Sequence, residues 1–431
     1  MYWLRGKIKN RLINTQQLVP QNVVAGVKMG IFDMIIDKDY RINFLNYKLD
    51  RLDKESLRDY TKQYILSEQC EKDIIRLKNG DYFFSLPTKK LIPKTDSNKK
   101  RILYMFPENE VALMRLIAYA FQNMEELYTN SLYSFRINRG AKEYAHERKT
   151  LPQLDNYYAI KVDIKSYANT LSSNILADQL QKIFSDDPEM CNFLVWFVKR
   201  GQYTYNGEII NGETAGLPGC PLYAFFGNVY LFEVDSYFEN KGIEYARYAD
   251  DILIYAKTLE EATKDYNDLS NILEKLKLQF NKNKTRIIEP GQPVEFLGIL
   301  YGNGWIDISR HTLNKIESKM RGRAKIIERE KRLKGLNTKQ AAKLMITWDE
   351  RVFSGQRDKD KINWLRWFFP VITRTDGLNE LDRYNQYCIR YVMTGKWNKA
   401  QYRVSYDTLK KMGYRSLVRM YYSGSLTRQR R

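Results

Sequence analysis

The sequence predicts an α+β chain with a small antiparallel sheet set between helical ends, and three observations predict it. Two strand-like runs, 243–247 and 252–256, flank Tyr248-Ala249-Asp250-Asp251 and read as a hairpin with two carboxylates at its tip. Apolar residues recur at helical spacing before residue 85 and again after residue 310. Charge is lopsided: of a net +20, residues 310–431 hold 30 Lys and Arg against 11 Asp and Glu, and the rest of the chain holds 41 against 40.

Composition narrows the class. With 431 residues, 43% hydrophobic and 13% aromatic, the chain has enough apolar content for two or three folded domains. Cys70, Cys191, Cys220 and Cys388 are far apart, so neither a zinc site nor a disulfide framework is expected. Arg5, Lys7 and Lys9 precede no apolar core, which argues against a secretory leader, and no apolar run has membrane-spanning length. A cytoplasmic protein without a membrane partner is expected. The basic C-terminal part, with Trp and Tyr interleaved, reads as a surface for a phosphate backbone; solubility alone would need far less charge.

Taken in order, residues 1–85 are helical in pattern and carry no legible chemistry. Residues 87–101 gather Lys89, Lys90, Lys94, Lys99, Lys100 and Arg101 round two prolines, a basic loop or hairpin able to hold phosphates. Val111, Leu113, Leu116, Ile117, Ala120, Phe121 and Met124 form a helical stripe over 108–128. Tyr158, Ile160 and Val162 alternate along a strand that delivers Asp163 at its end. Ser172 or Ser173 can cap the helix that follows. Residues 201–214 read as a short hairpin, and 215–221 as a rigid Gly-Pro loop before an apolar helix, 222–232.

Beyond the central hairpin, Leu259 to Leu276 is an amphipathic helix, and 279–288 reads as a strand presenting Lys284. Phe296-Leu297-Gly298 opens a small hairpin that turns back through glycines by Trp305. From Arg310, the stripe Leu313, Ile316, Met320 and Ile327 is surrounded by Lys315, Lys319, Arg321, Arg323 and Lys325. Singly, these signals are weak. Asp163 alone reads as a loop or capping residue, and an Asp-Asp pair as an ordinary turn.

Together and in this order they resemble the reverse transcriptases of the bacterial, group II intron-like lineage, over about 99–298. Ser134-Phe135-Arg136 is similar to that family's Phe-Arg element, and Asp163-Ile164-Lys165 to its first catalytic motif. Gly216-Leu217-Pro218 through Asn228-Val229-Tyr230-Leu231 resembles the loop and helix under template and nucleotide. Tyr248-Ala249-Asp250-Asp251 matches the signature motif, Lys284-Thr285 the lysine motif, and Phe296-Leu297-Gly298 the primer grip. Two departures stand out: Pro218-Gly219-Cys220-Pro221 replaces the usual Gln-Gly-Ser-Pro, and Tyr223-Ala224 replaces Ser-Pro. The compact length and the segment 409–418 look most like the defence-associated reverse transcriptases, of the second class.

The resemblance implies a right-hand polymerase: a helical N-terminal region over 1–85, fingers over 86–156, a palm over 157–309, and a basic helical thumb with a C-terminal extension over 310–431. It implies RNA-directed DNA synthesis, with an RNA template, deoxynucleoside triphosphates and a DNA product. In this class the template is a cognate noncoding RNA copied repeatedly in antiphage defence. An intron- or retron-type enzyme with another RNA, or a non-catalytic RNA-binding scaffold, are the alternatives. Asp163, Asp250 and Asp251, with the Ile164 carbonyl, would hold two Mg²⁺ ions, Asp251 as ligand or as neighbour. Lys100, Arg101, Gly216, Pro218 and Lys284 would meet the nucleotide, and Arg136, Lys315, Lys319 and Arg323 the nucleic acid. The sugar-excluding position falls on Ala168, with an aromatic one place earlier. Either a shifted turn puts Tyr167 under the sugar or the gate is open, and the shifted turn is the expectation.

Overall fold

A computed structural model describes residues 23–24, 27–52, 54–94, 97–212, 215–354, 364–398 and 403–424; Arg5, Lys7 and Lys9 lie outside them. At its centre four antiparallel strands run in the order Arg286–Ile288, Tyr158–Asp163, Asp251–Ala256, Glu244–Tyr248. Their period-two pattern divides the molecule between two cores. Ile160, Val162, Ile252, Ile254 and Ala256 enter the N-terminal core, against the helices Phe232–Asn240 and Leu259–Lys275. Ala159, Ala246, Leu253 and Tyr255 face the other way, into a core shared with the helix Ala141–Lys149 and the C-terminal helices.

Two smaller sheets flank the centre. The basic stretch is a hairpin, Thr88–Lys94 with Ser97–Met105, and the hairpin Gln202–Tyr205 with Glu208–Asn211 joins it through Thr88 and Thr204. On the other side Val294–Phe296, Ile299–Gly302 and Trp305–Ile308 form a three-stranded meander. Its last strand leads through Ser309, whose hydroxyl caps the Thr312 N–H, into the 25-residue helix Arg310–Lys334, which Gly335 ends in the left-handed region. That helix packs on Asp376–Thr394 and Thr338–Ser354. The N-terminal helices Ile31–Ile36, Lys38–Lys48 and Glu55–Ile65 surround Glu108–Gln122.

Three elements differ from the pattern read in the sequence. The strand expected over 279–288 is broken: Phe280 makes a single antiparallel bridge with Ile164 and Arg286–Ile288 pairs with the central sheet, because Lys284 and Thr285 between them both donate their N–H to the Asn281 carbonyl in a turn. The apolar run 222–232 divides at Tyr230-Leu231 into Tyr223–Val229 and Phe232–Asn240. The stripe over 108–128 leaves the helix after Gln122. No helix among the described residues is long and apolar enough to cross a membrane.

Candidate active site

Strand register assembles the acids. Tyr248 pairs with Asp251 across a two-residue turn, and Asp251 pairs with Asp163 on the neighbouring strand, so Asp163, Asp250 and Asp251 meet at one end of the central sheet. The turn is tight enough to force Ala249 to φ 55°, a left-handed conformation that costs a β-carbon residue about 1–2 kcal/mol. The Arg247 guanidinium donates to the Ala249 carbonyl at 3.1 Å and holds it there.

The three carboxyl groups sit in different settings. Burial pushes the Asp251 carboxyl up to about 6, with Lys161 opposing and Asp250 and Asp163 reinforcing the rise. Burial also raises Asp250, and the nearby Asp163 charge adds to it. Asp163 is held from outside the sheet: Asn281 Nδ2 donates to Oδ2 and Lys284 Nζ to Oδ1, both at 2.9 Å. The turn that displaced the expected strand is therefore what brings Lys284 to the acids. Among the described residues no group of three or more His, Cys, Asp or Glu side chains is arranged to hold a metal ion as it stands. The donor set is all oxygen and anionic, which suits a hard divalent cation, and such a charge would offset both the burial and the mutual repulsion that raise Asp250 and Asp251.

Beneath the turn lies a buried polar network that the sequence pattern does not announce. Arg247 and Asp235, both 0% exposed, form a bidentate pair, with Nε to Oδ1 at 2.6 Å. Tyr245 donates to the same Asp235 oxygen, and Arg247 Nη2 to the Asn228 carbonyl. Asn228 in turn exchanges two hydrogen bonds with Ser134. Three segments distant in sequence are thus tied behind the acids. A cation on the inward face of an otherwise apolar strand was the available signal, since it demands a buried partner.

The Gly-Pro loop runs between the acids and the basic hairpin. A β-carbon on Gly216 would lie 1.7 Å from the Ala168 carbonyl oxygen, so only glycine fits. Ala215 N–H donates to the Leu171 carbonyl, and the Pro218 carbonyl accepts from Tyr104 on the basic hairpin at 2.8 Å. Lys100 and Arg101 are exposed on that hairpin, and no hydrogen bond or ion pair joins them to the aspartates.

Two further expected site residues are engaged within the fold. Tyr167 is 2% exposed, its hydroxyl donates to the Gly227 carbonyl, and its ring packs against Tyr230. Ala168 is the partly exposed member of the pair. Arg136 pairs with Glu125 and donates to the Thr129 and Leu132 carbonyls.

Phe296 is fully buried, whereas Leu297 and Gly298 form a two-residue turn with φ 54° and 81°. Ser309 N–H and Thr312 Oγ1 both donate to the Gly298 carbonyl at 3.0 Å, fixing that turn to the start of the long helix. On that helix Lys315 and Lys319 are exposed and Arg323 is half-buried.

Residues 92–301 match the reverse transcriptase (RNA-dependent DNA polymerase) family. No curated protein matches the chain. Among solved structures, apo telomerase from Candida Tropicalis truncated from its C-terminal domain is 15% identical, with a TM-score of 0.43, covering 52% of this chain and 55% of that one. Telomerase from Candida albicans in complex with a TWJ fragment of telomeric RNA is 13% identical, with a TM-score of 0.41, covering 84% and 68%. Apo telomerase from Candida Tropicalis is 14% identical, with a TM-score of 0.45, covering 80% and 67%. This chain thus spans little more than half of the first and about two thirds of the others.

Proposed function

We propose that this chain, which carries a reverse transcriptase domain over residues 92–301 in a right-hand polymerase fold, copies a cognate structured noncoding RNA into cDNA. The observation that carries the catalytic reading is the register that sets Asp163 opposite Asp251, with Asp250 at the adjoining turn. Repetitive copying and a role in antiphage defence rest on the resemblance of the C-terminal segment 409–418. In this reading residues 1–85 form a helical N-terminal region, 86–156 the fingers, 157–309 the palm, and 310–431 the thumb with its extension.

Asp163, Asp250, Asp251 and the Ile164 carbonyl would hold two Mg²⁺ ions. Such ions supply charge that activates a primer 3′-hydroxyl and steadies the triphosphate. The protein's own part is positional. Arg247 fixes the turn, so Asp250 and Asp251 keep their places when charge develops beside them. Lys284 balances Asp163, and a triphosphate oxygen would compete with that carboxylate for it. Lys100 and Arg101 would reach the triphosphate from the basic hairpin, and the Gly216 and Pro218 backbone would support the nucleotide. The exposed Lys315 and Lys319, with Arg323, would follow the phosphates of the template–product duplex.

Primer extension on an RNA template is the direct test. Asp250→Ala is expected to abolish synthesis while leaving the thermal melt intact, and full-rate synthesis by a folded Asp250→Ala protein would refute the assignment. Sequencing the RNA that co-purifies with the protein identifies the template. Deleting the neighbouring noncoding DNA tests the defence role: protection from phage should disappear with it.

A further inference from the structure

The N-terminal helices, whose sequence carries no legible chemistry, bring three cations to one place. Lys48 ends the helix Lys38–Lys48, Arg51 ends the short helical turn Leu49–Arg51 that continues it, and Arg115 lies midway along Glu108–Gln122. Aromatic contacts join the two elements. The Arg51 guanidinium lies 3.9 Å over the Tyr47 ring, and Tyr47 meets Tyr119 with ring centroids 5.1 Å apart. Arg115 stands four residues before Tyr119, hence on the same face of its helix, and Lys48 follows Tyr47 directly.

Other cations of this region find acids: Arg41 pairs with Glu71, Arg76 with Asp73, and Lys78 with Asp33. Lys48, Arg51 and Arg115 have no ion-pair partner among the described residues. The Arg115 Nη1 atom is in addition buried without a hydrogen-bond acceptor. Arg51 donates one bond to the Tyr47 carbonyl, which leaves most of its five N–H groups unspent. Two acids stand near. Asp50, between Lys48 and Arg51 in sequence, is exposed and pairs with neither, and the exposed Glu108 offsets the burial of Arg115 only from a distance. Burial, with the Arg115 and Arg51 charges beside it, pulls the Lys48 ammonium below its ordinary range.

The cluster is out of keeping with its surroundings. Residues 1–309 hold 41 Lys and Arg against 40 Asp and Glu, so three unpaired cations in one spot here are not part of the C-terminal excess. Like charges held together cost free energy that the fold does not recover by itself, and an anion set between them would recover it. A carboxylate is a flat group that one guanidinium satisfies. A phosphate spreads its charge over tetrahedrally disposed oxygens, so two guanidinium forks and an ammonium can approach it from different sides. The half-buried Tyr47 and Tyr119 rings add apolar surface against which an attached sugar or base can rest.

We propose that Lys48, Arg51 and Arg115 form a phosphate-binding site on the N-terminal helices. Its ligand is a phosphate group, carried by an RNA strand or by a free nucleotide. The site shares no residue with the aspartates, the basic hairpin or the long basic helix, and it does not depend on the polymerase assignment.

The test is lysine footprinting of the full chain: acetylation of Lys48, read by mass spectrometry, during titration with a short single-stranded RNA and, separately, with inorganic tripolyphosphate. One of the two should protect Lys48, and Arg51→Gln with Arg115→Gln should raise the half-protecting concentration about tenfold or more. Protection by the RNA that tripolyphosphate does not reproduce assigns the phosphate to a strand. Protection by tripolyphosphate at an equal or lower concentration assigns it to a free nucleotide. A Lys48 that stays reactive with both ligands overturns the proposal, as does protection that the double variant leaves unchanged. The double variant removes unpaired charge, so its thermal melt should hold or rise; a fall would show that the two guanidinium groups are already satisfied within the fold and would count against the site. Asp250→Ala should leave the footprint intact, which keeps this site separable from the polymerase reading.

Discussion

At the scale of single residues, Asp349 responds to pH in the opposite sense to a paired carboxylate. Its folded-state pKa lies well above the ordinary 3.8, so between that value and the folded pKa the native chain holds one more proton than the unfolded chain. Stability should therefore fall as pH rises through this window, and below 3.8 the penalty should vanish. Asp349→Asn is expected to stabilise the protein at neutral pH and to lose that advantage on acidification to about pH 4; denaturant titrations at the two pH values measure it. Tyr167 gives a second residue-scale expectation. Because its hydroxyl bonds Gly227 inside the core, Tyr167→Phe should cost about 1 kcal/mol of stability and leave the ratio of deoxy- to ribonucleotide incorporation unchanged, as single-nucleotide addition would show.

At the scale of elements, the hairpin that carries Asp250 and Asp251 depends on the Arg247–Asp235 pair behind it. Arg247→Met strands a buried carboxylate and should cost about 3–5 kcal/mol, whereas removing both charges, Arg247→Met with Asp235→Leu, should recover much of that stability in denaturation. The hairpin itself is legible in the sequence because strand alternation and the Asp-Asp tip coincide in a few residues. Its partner is not, since Asp235 stands on a helix where an acid ordinarily meets water. The segment 279–285 misleads for a related reason: its length suits a strand, but Asn281 and Asn283 favour turns, and that local preference prevails. Helices with a clean apolar stripe, such as Leu259–Lys275 with the capping box at Thr258 and Glu261, can be read nearly to the residue. The order of the strands within the central sheet follows from long-range pairing, and no periodicity carries it.

For the whole molecule, the separation of charge is the dominant electrostatic feature. If the basic helix follows a phosphate backbone, affinity for a template–product duplex should fall steeply with salt as counterions are released. Neutralising Lys315, Lys319 and Arg323 together should flatten the log–log salt dependence by about one unit for each phosphate that then goes unneutralised, which filter binding across a salt series reads directly. An unchanged slope would place the binding surface elsewhere on the protein.

The clamp between Gly298 and the head of the long helix has a mechanical consequence. Ser309 and Thr312 both grip one carbonyl of a turn whose two residues have positive φ, so turn and helix form a lever with its fulcrum at Gly298. At 25 residues the arm is about 37 Å long. A tilt of about 5° at the fulcrum then sweeps the far end through about 3 Å, close to the rise between successive base pairs. Gly298→Ala, whose β-carbon would meet Thr312 Oγ1 at 2.7 Å on a residue of positive φ, should break this clamp, and a lowered thermal melt would register the loss.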